Sequence, residues 1–123
     1  MKELAFPKAH RICRKLDFQH IFNQGQSHYV YPVKMLYVMR PDAGQEAGVK
    51  VGVIVPKRLF RHAVARNRLK RLLREAYRLN QRDLTEKAIR DGVQWQLLFI
   101  YTAQRMHAFH KVEDAVKNLI NSI

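Results

Sequence analysis

The sequence predicts an α/β (α+β) two-layer sandwich: a small mixed sheet of about four strands with three helices, forming one domain over residues 1–123. Two patterns and one bound lead there. Segments of strict alternation between apolar and other residues mark strands, and long stretches with apolar residues at three- and four-residue steps mark helices. Their order along the chain is helix, strands, helix, strand, helix, which places helices against a sheet. The bound is length. With 123 residues and 47% hydrophobic content the chain can build one ordinary core, and two would be hard to fill.

The elements follow in order. Met1 to Leu16 is basic and irregular, with Pro7 inside it. Asp17 caps a short helix that runs to Gln24 and stops at Gly25. Val33, Met35, Tyr37 and Met39 then alternate with Lys34, Leu36, Val38 and Arg40, a strand. Residues 41–48 form a turn-rich connector. A second strand puts Val49, Val51, Val53 and Val55 on one face, and the two runs are expected to pair as an antiparallel hairpin. A long helix covers roughly Ala63 to Asn80, and Asp83 to Gly92 reads as a polar connector with room for one helical turn. Gln94 to Tyr101 is a strand with Trp95, Leu97, Phe99 and Tyr101 on one side. From Ala108 a last helix carries Phe109, Val112, Val116, Leu119, Ile120 and Ile123 on its apolar stripe.

Charge gives the first functional constraint. Lys and Arg number 23 against 10 Asp and Glu, a formal net charge of +13. A small chain with that excess repels itself unless an anion neutralises it, with nucleic acid the first candidate and an anionic membrane surface the second. The charge is concentrated. Between Lys57 and Arg82 stand ten cations and one acid, Glu75, which together supply +9 of the +13. On a helical wheel Leu79, Leu72, Ala65, Ala76, Leu69 and Leu73 fall within about 120°, while Arg66, Asn67, Lys70, Arg71, Arg74 and Arg78 fill the opposite side. Arg68 lies near the apolar border. A merely solvated face would mix Glu with Lys. The row Arg66, Lys70, Arg74, Arg78 repeats one sign at i,i+4 spacing, which weakens a helix. Arginine dominance points to phosphate, because the guanidinium fork pairs with its oxygens.

Other chemistries find little support. A single cysteine, Cys13, excludes an intrachain disulfide and a cysteine-clustered zinc site. The longest apolar runs are strand-sized, so no membrane span or membrane role is expected. His107 and His110 stand i,i+3, yet acids near a helix start more often balance its dipole than bind metal. There is no paired-carboxylate motif, phosphate loop or nucleophile elbow. No catalytic residue and no metal site are therefore assigned to the chain.

The run Arg66-Asn67-Arg68-Leu69-Lys70-Arg71-Leu72-Leu73-Arg74-Glu75-Ala76-Tyr77-Arg78 resembles the signature segment of the bacterial ribonuclease P protein component. Ala5-Phe6-Pro7 with Arg11, then Asp17-Phe18 with Phe22 and Gly25, is similar to that family's N-terminal block. Val51-Gly52-Val53-Ile54-Val55-Pro56-Lys57-Arg58 is similar to the strand that leads into its basic helix. These matches span about two thirds of the chain.

The resemblance implies a non-catalytic protein subunit of an endoribonuclease whose RNA holds the active site and the Mg2+ ions. That ribonucleoprotein removes the 5′ leader of precursor tRNA, and its protein broadens the substrate range. It implies one protein per catalytic RNA, a cytoplasmic location and a left-handed β-α-β crossover. Carried over by position, Lys57, Arg58, Arg66, Asn67, Arg68, Lys70, Arg71 and Arg74 contact the catalytic RNA, and the charge pattern adds Arg61 and Arg78 to that surface. Phe18, Phe22, Lys34, Leu36 and Tyr37 line a cleft for the leader, with the strand aromatic that faces it left open. Taken without the resemblance, Phe18 and Phe22 read as core residues sharing a helix face. The alternative to the whole reading is a structural RNA-binding protein of ribosomal type, without turnover.

Overall fold

The computed structural model describes residues 15–123, with side chains from Phe18 onward. The described residues form four α-helices and four strands, in the order α1 (Lys15–Gln24), β1 (Gln26–Val30), β2 (Val33–Arg40), β3 (Gly48–Ile54), α2 (Ala63–Asn80), α3 (Arg82–Asp91), β4 (Gln94–Tyr101) and α4 (Phe109–Asn121). The N-terminal block around Phe6, Pro7, Arg11 and Cys13 lies outside the described residues. Asp17 lies within helix α1, two residues into its described range, rather than at the position before it.

The strands form one mixed sheet in the order β1-β2-β4-β3. β1 and β2 are antiparallel, with Tyr29 opposite Lys34 and Val30 opposite Val33. β2 and β4 are antiparallel, with Leu36 opposite Leu98. β3 pairs in parallel with β4, Gly52 opposite Leu98. The expected hairpin between Val33–Arg40 and the following valine strand is therefore absent, since β4 lies between those two strands. β4 takes the central slot because Leu97, Leu98 and Phe99 are all fully buried, and only a strand covered on both faces buries consecutive residues.

Alternation assigns the two faces of the sheet. Val33, Met35, Val49, Val51, Leu97, Phe99 and Tyr101 join the main core under α2, α3 and α4. Leu36 and Leu98 face the other way and pack with Ile21 of α1, with Phe18, Val38, Ile54 and Ile100 at the margins. The single short helix α1 covers only part of that second face.

The segment Asp83 to Gly92, expected to be a polar connector with one helical turn, lies almost wholly in a ten-residue helix, α3. Only Leu84 and Ala88 of this helix are buried, a stripe too narrow to stand out in the sequence. Gly92 ends it at φ 69°, in the left-handed region where a side chain would be strained. The connector 41–47 is clamped beside the start of β4, with Ala43 N donating to Gly92 O at 2.8 Å and Gly48 N to Val93 O at 2.9 Å.

Candidate RNA-binding surface

Helix α2 spans the predicted range, but its buried side is turned. Leu69, Leu73, Ala76 and Tyr77 are buried, whereas Leu72 is half-buried and Leu79 is 40% exposed. At about 100° per residue, this shifts the buried arc by roughly 50° from the one centred on Ala76, Leu72 and Leu69. Tyr77 causes the turn: its ring is 1% exposed and lies 6.3 Å from the Phe99 ring. Burial pushes the Tyr77 phenol well above its ordinary pKa, partly offset by a hydrogen bond with Thr85.

The rotation sorts the cations. Arg66 swings inward, and its Nη1 donates to Phe60 O at 2.8 Å and to Arg61 O at 2.7 Å. It thereby fixes the loop 55–62, which Phe60 also anchors through its ring 5.9 Å from that of Tyr101. That loop presents Lys57, Arg58 and Arg61, all exposed, beside the start of α2. The first turn of α2 has no acid, so the partial positive charge of the helix end adds to theirs.

Asn67, Arg68, Arg71 and Arg74 are exposed and Lys70 is half-buried. At the far end Arg78 is paired with Glu75, whose carboxyl is held below its usual pKa chiefly by the Arg78 hydrogen bond. The same-sign row is thus relieved at both ends, by backbone carbonyls at Arg66 and by a carboxylate at Arg78. Among the described residues no carboxylate bridges Lys57, Arg58, Arg61, Arg68, Lys70 or Arg71.

The aromatic set divides between the two faces of the sheet. Phe18 lies half-buried on Gly52: a Cβ added there would stand 2.9 Å from Phe18 Cε1. Gly52 is a small residue under a helix. Phe22 is 54% exposed, and Lys34 is exposed on the same sheet face as Leu36. Leu36 is buried between Ile21 and Leu98, so it underlies this surface rather than lining it.

Tyr37 does not belong to that face. It points to the opposite side, where its ring meets His28 at 5.1 Å and Trp95 at 6.0 Å, and its hydroxyl donates to Gln26 Oε1. The strand aromatic on the α1 face is Tyr29, 57% exposed and opposite Lys34. The sequence signal for it is the pair of tyrosines before Pro32, legible once a turn is placed there. A cavity of about 560 Å³ opens along the other flank of α1, lined by His20, Gln24, Tyr37 and Trp95. Phe18 and Phe22 do not line it.

Fold and surface together define a basic α+β protein with an exposed cationic helix and exposed aromatics on its sheet side. Comparisons with known proteins specify it further. The ribonuclease P family profile matches residues 6–123. A ribonuclease P protein component from Porphyromonas gingivalis is 33% identical over 114 residues, covering 92% of this chain and 82% of that protein. Another, from Clostridium novyi, is 29% identical over 92% of both chains. Among solved structures, the RNase P protein from Thermotoga maritima superposes with a TM-score of 0.69 at 24% identity, over 92% of this chain and 96% of that one. A mutant of the Staphylococcus aureus RNase P protein gives 0.72 at 22% identity, over 94% and 88%.

The chain belongs to the ribonuclease P protein family. It is accordingly the protein part of an endoribonuclease ribonucleoprotein, the partner of the RNase P RNA in tRNA 5′ processing, with catalysis in the RNA. No helix among the described residues is long and apolar enough to cross a membrane.

Proposed function

We propose that this single domain binds the RNase P RNA through the exposed cations of α2 and of the loop before it, and holds the precursor leader on the α1 face of the sheet. The observation that carries the first half is the set Lys57, Arg58, Arg61, Arg68, Lys70 and Arg71, clustered without carboxylate partners among the described residues. Phosphates complete such a set and release counterions as they do so. Arg66 acts here as a positioning residue: it spends donors on two carbonyls and so sets the direction of the loop cations.

For the leader, Phe22 and Tyr29 offer exposed rings and Lys34 a charge, with Phe18 and Leu36 beneath. An open stacking surface of this kind tolerates any base, as a variable leader requires. Mg2+ ions sit on the RNA. The protein screens phosphate repulsion between leader and catalytic RNA, so fewer free ions are needed and more precursors are accepted. One protein per RNA acts in the cytoplasm.

The test is cleavage of a precursor tRNA by the partner RNA at low magnesium, with and without this chain. Cleavage that rises strongly on addition of the chain is the expected result. No change in rate, together with no binding to that RNA, overturns the reading in favour of a structural RNA-binding protein.

A further inference from the structure

Beyond α2 and the α1 face, a third group of side chains gathers where the β1–β2 turn meets the loop between β4 and α4. Tyr31 is 48% exposed at the tip of that turn. Its hydroxyl lies 3.1 Å from His107 Nε2, the two rings meet edge to face at 5.3 Å, and the Lys111 ammonium stands 5.4 Å from the Tyr31 ring centre.

The group is rigidly mounted. Thr102 donates through N and Oγ1 to Pro32 O, both at 2.9 Å, which ties the turn to the end of β4. The buried Tyr101 hydroxyl donates to Arg105 O at 2.7 Å and accepts from His107 N at 3.0 Å, which staples the loop to the core. Burial, Lys111 and Arg105 together hold His107 below its ordinary imidazole pKa, so the fixed positive charge here comes from Arg105 and Lys111.

Two features indicate a partner. Residues 25–41 and 92–112, which supply this corner, contain no Asp or Glu at all. The corner is also continuous with α2: Arg68 and His107 line one cavity of about 280 Å³, with Met106 and Phe109 between them. Since α2 is the face proposed to meet the catalytic RNA, the same RNA lies within reach of this corner.

We propose that Tyr31, Arg105, His107 and Lys111 form a second contact for the RNase P RNA, in which an unpaired base stacks on Tyr31 and its phosphates meet Arg105 and Lys111. The inference rests on the reading of α2 as the face that meets this RNA. An exposed ring with fixed orientation and flanking cations is the chemistry that accepts a single-stranded nucleotide.

The experiment measures binding of the full chain to the RNase P RNA across a salt series, for Tyr31→Ala, Tyr31→Phe, Lys111→Ala and Arg68→Glu. Tyr31→Ala is expected to weaken binding by about 5- to 150-fold, the range for one base–aromatic stack, while Tyr31→Phe keeps the ring and stays near wild type. Lys111→Ala is expected to lower the salt slope by about 0.7 to 0.9, one phosphate contact. Far-UV and near-UV spectra of each variant report its folding.

If Arg68→Glu weakens binding and the folded Tyr31→Ala and Lys111→Ala do not, the second contact is refuted and the α2 reading stands. If Arg68→Glu also has no effect, the α2 reading itself falls. If Tyr31→Ala leaves affinity for the catalytic RNA intact but lowers holoenzyme affinity for a precursor with a long leader, the corner belongs to the leader, and the proposal is likewise overturned.

Discussion

The packing of Phe18 on Gly52 predicts a coupling that can be measured. In Gly52→Ala the new methyl would stand 2.9 Å from Phe18 Cε1, 3.2 Å from Phe18 Cζ and 3.2 Å from Leu98 Cδ1. Carbon pairs prefer about 3.5 to 4.0 Å, so the ring must move by at least ~0.6 Å and shift α1 with it. Overpacking of this kind costs about 1–3 kcal/mol. Removing a strand glycine restricts the unfolded chain and returns about 0.4–1 kcal/mol, because Gly52 has an ordinary strand backbone. The net expected loss is about 0.5–2 kcal/mol. In a Phe18→Ala background both ring contacts vanish, and the Leu98 methyl at 3.2 Å can relax into the space the ring leaves, so the same substitution is expected to be neutral or to stabilise slightly. Urea unfolding of the four proteins gives the coupling directly, with an expected value of about 1–2 kcal/mol. Equal costs in both backgrounds, within about 0.3 kcal/mol, would refute the contact and with it the placement of α1.

Four further outcomes are expected. Phe22→Ala should weaken holoenzyme binding of a leader-bearing precursor by about 1–3 kcal/mol and spare mature tRNA; with Phe22 54% exposed, its thermal midpoint should barely move, and a large fall would return it to the core. Arg68→Glu and Arg71→Glu should each lower the salt slope of RNA binding by about 0.7 to 0.9 with the fold intact by circular dichroism. Arg66→Ala should lower stability in urea by about 1.5–3 kcal/mol, the range for hydrogen bonds from a charged donor, while Arg71→Ala should not. Alkaline titration tests the buried phenols. Tyr77 and Tyr101 both have raised pKa values in the folded state, chiefly from burial. The unfolded chain then loses protons first, so stability is full below about pH 10 and falls above it, and Tyr77→Phe should flatten that fall in urea midpoints measured at stepped pH.

Much of this protein was determined by the order of its residues. The limits of α2 and β4 and the alternation of β2 follow from periodicity, because burial of one face imposes that spacing on any chain that folds. The cationic helix is equally legible, since charge excess needs no neighbours to be counted. Four features required the tertiary structure. β3 looks like the partner of β2, yet β4 separates them; the consecutive burial of Leu97, Leu98 and Phe99 marks a central strand only when both sheet faces are known to be covered. Helix α3 hides behind two buried residues, Leu84 and Ala88. Most consequential is the turn of α2 that buries Tyr77, draws Arg66 to the carbonyls of Phe60 and Arg61 and leaves Arg68 outward. A wheel weighs residues by hydrophobicity alone, whereas the fold also weighs the volume of Tyr77 against Phe99 and the carbonyls that Arg66 satisfies. The same reasoning holds for Tyr29 and Tyr37. Strand period put Leu36 and Tyr37 on opposite faces, but only the packing of α1 on one face and of α2, α3 and α4 on the other decided which side each tyrosine serves.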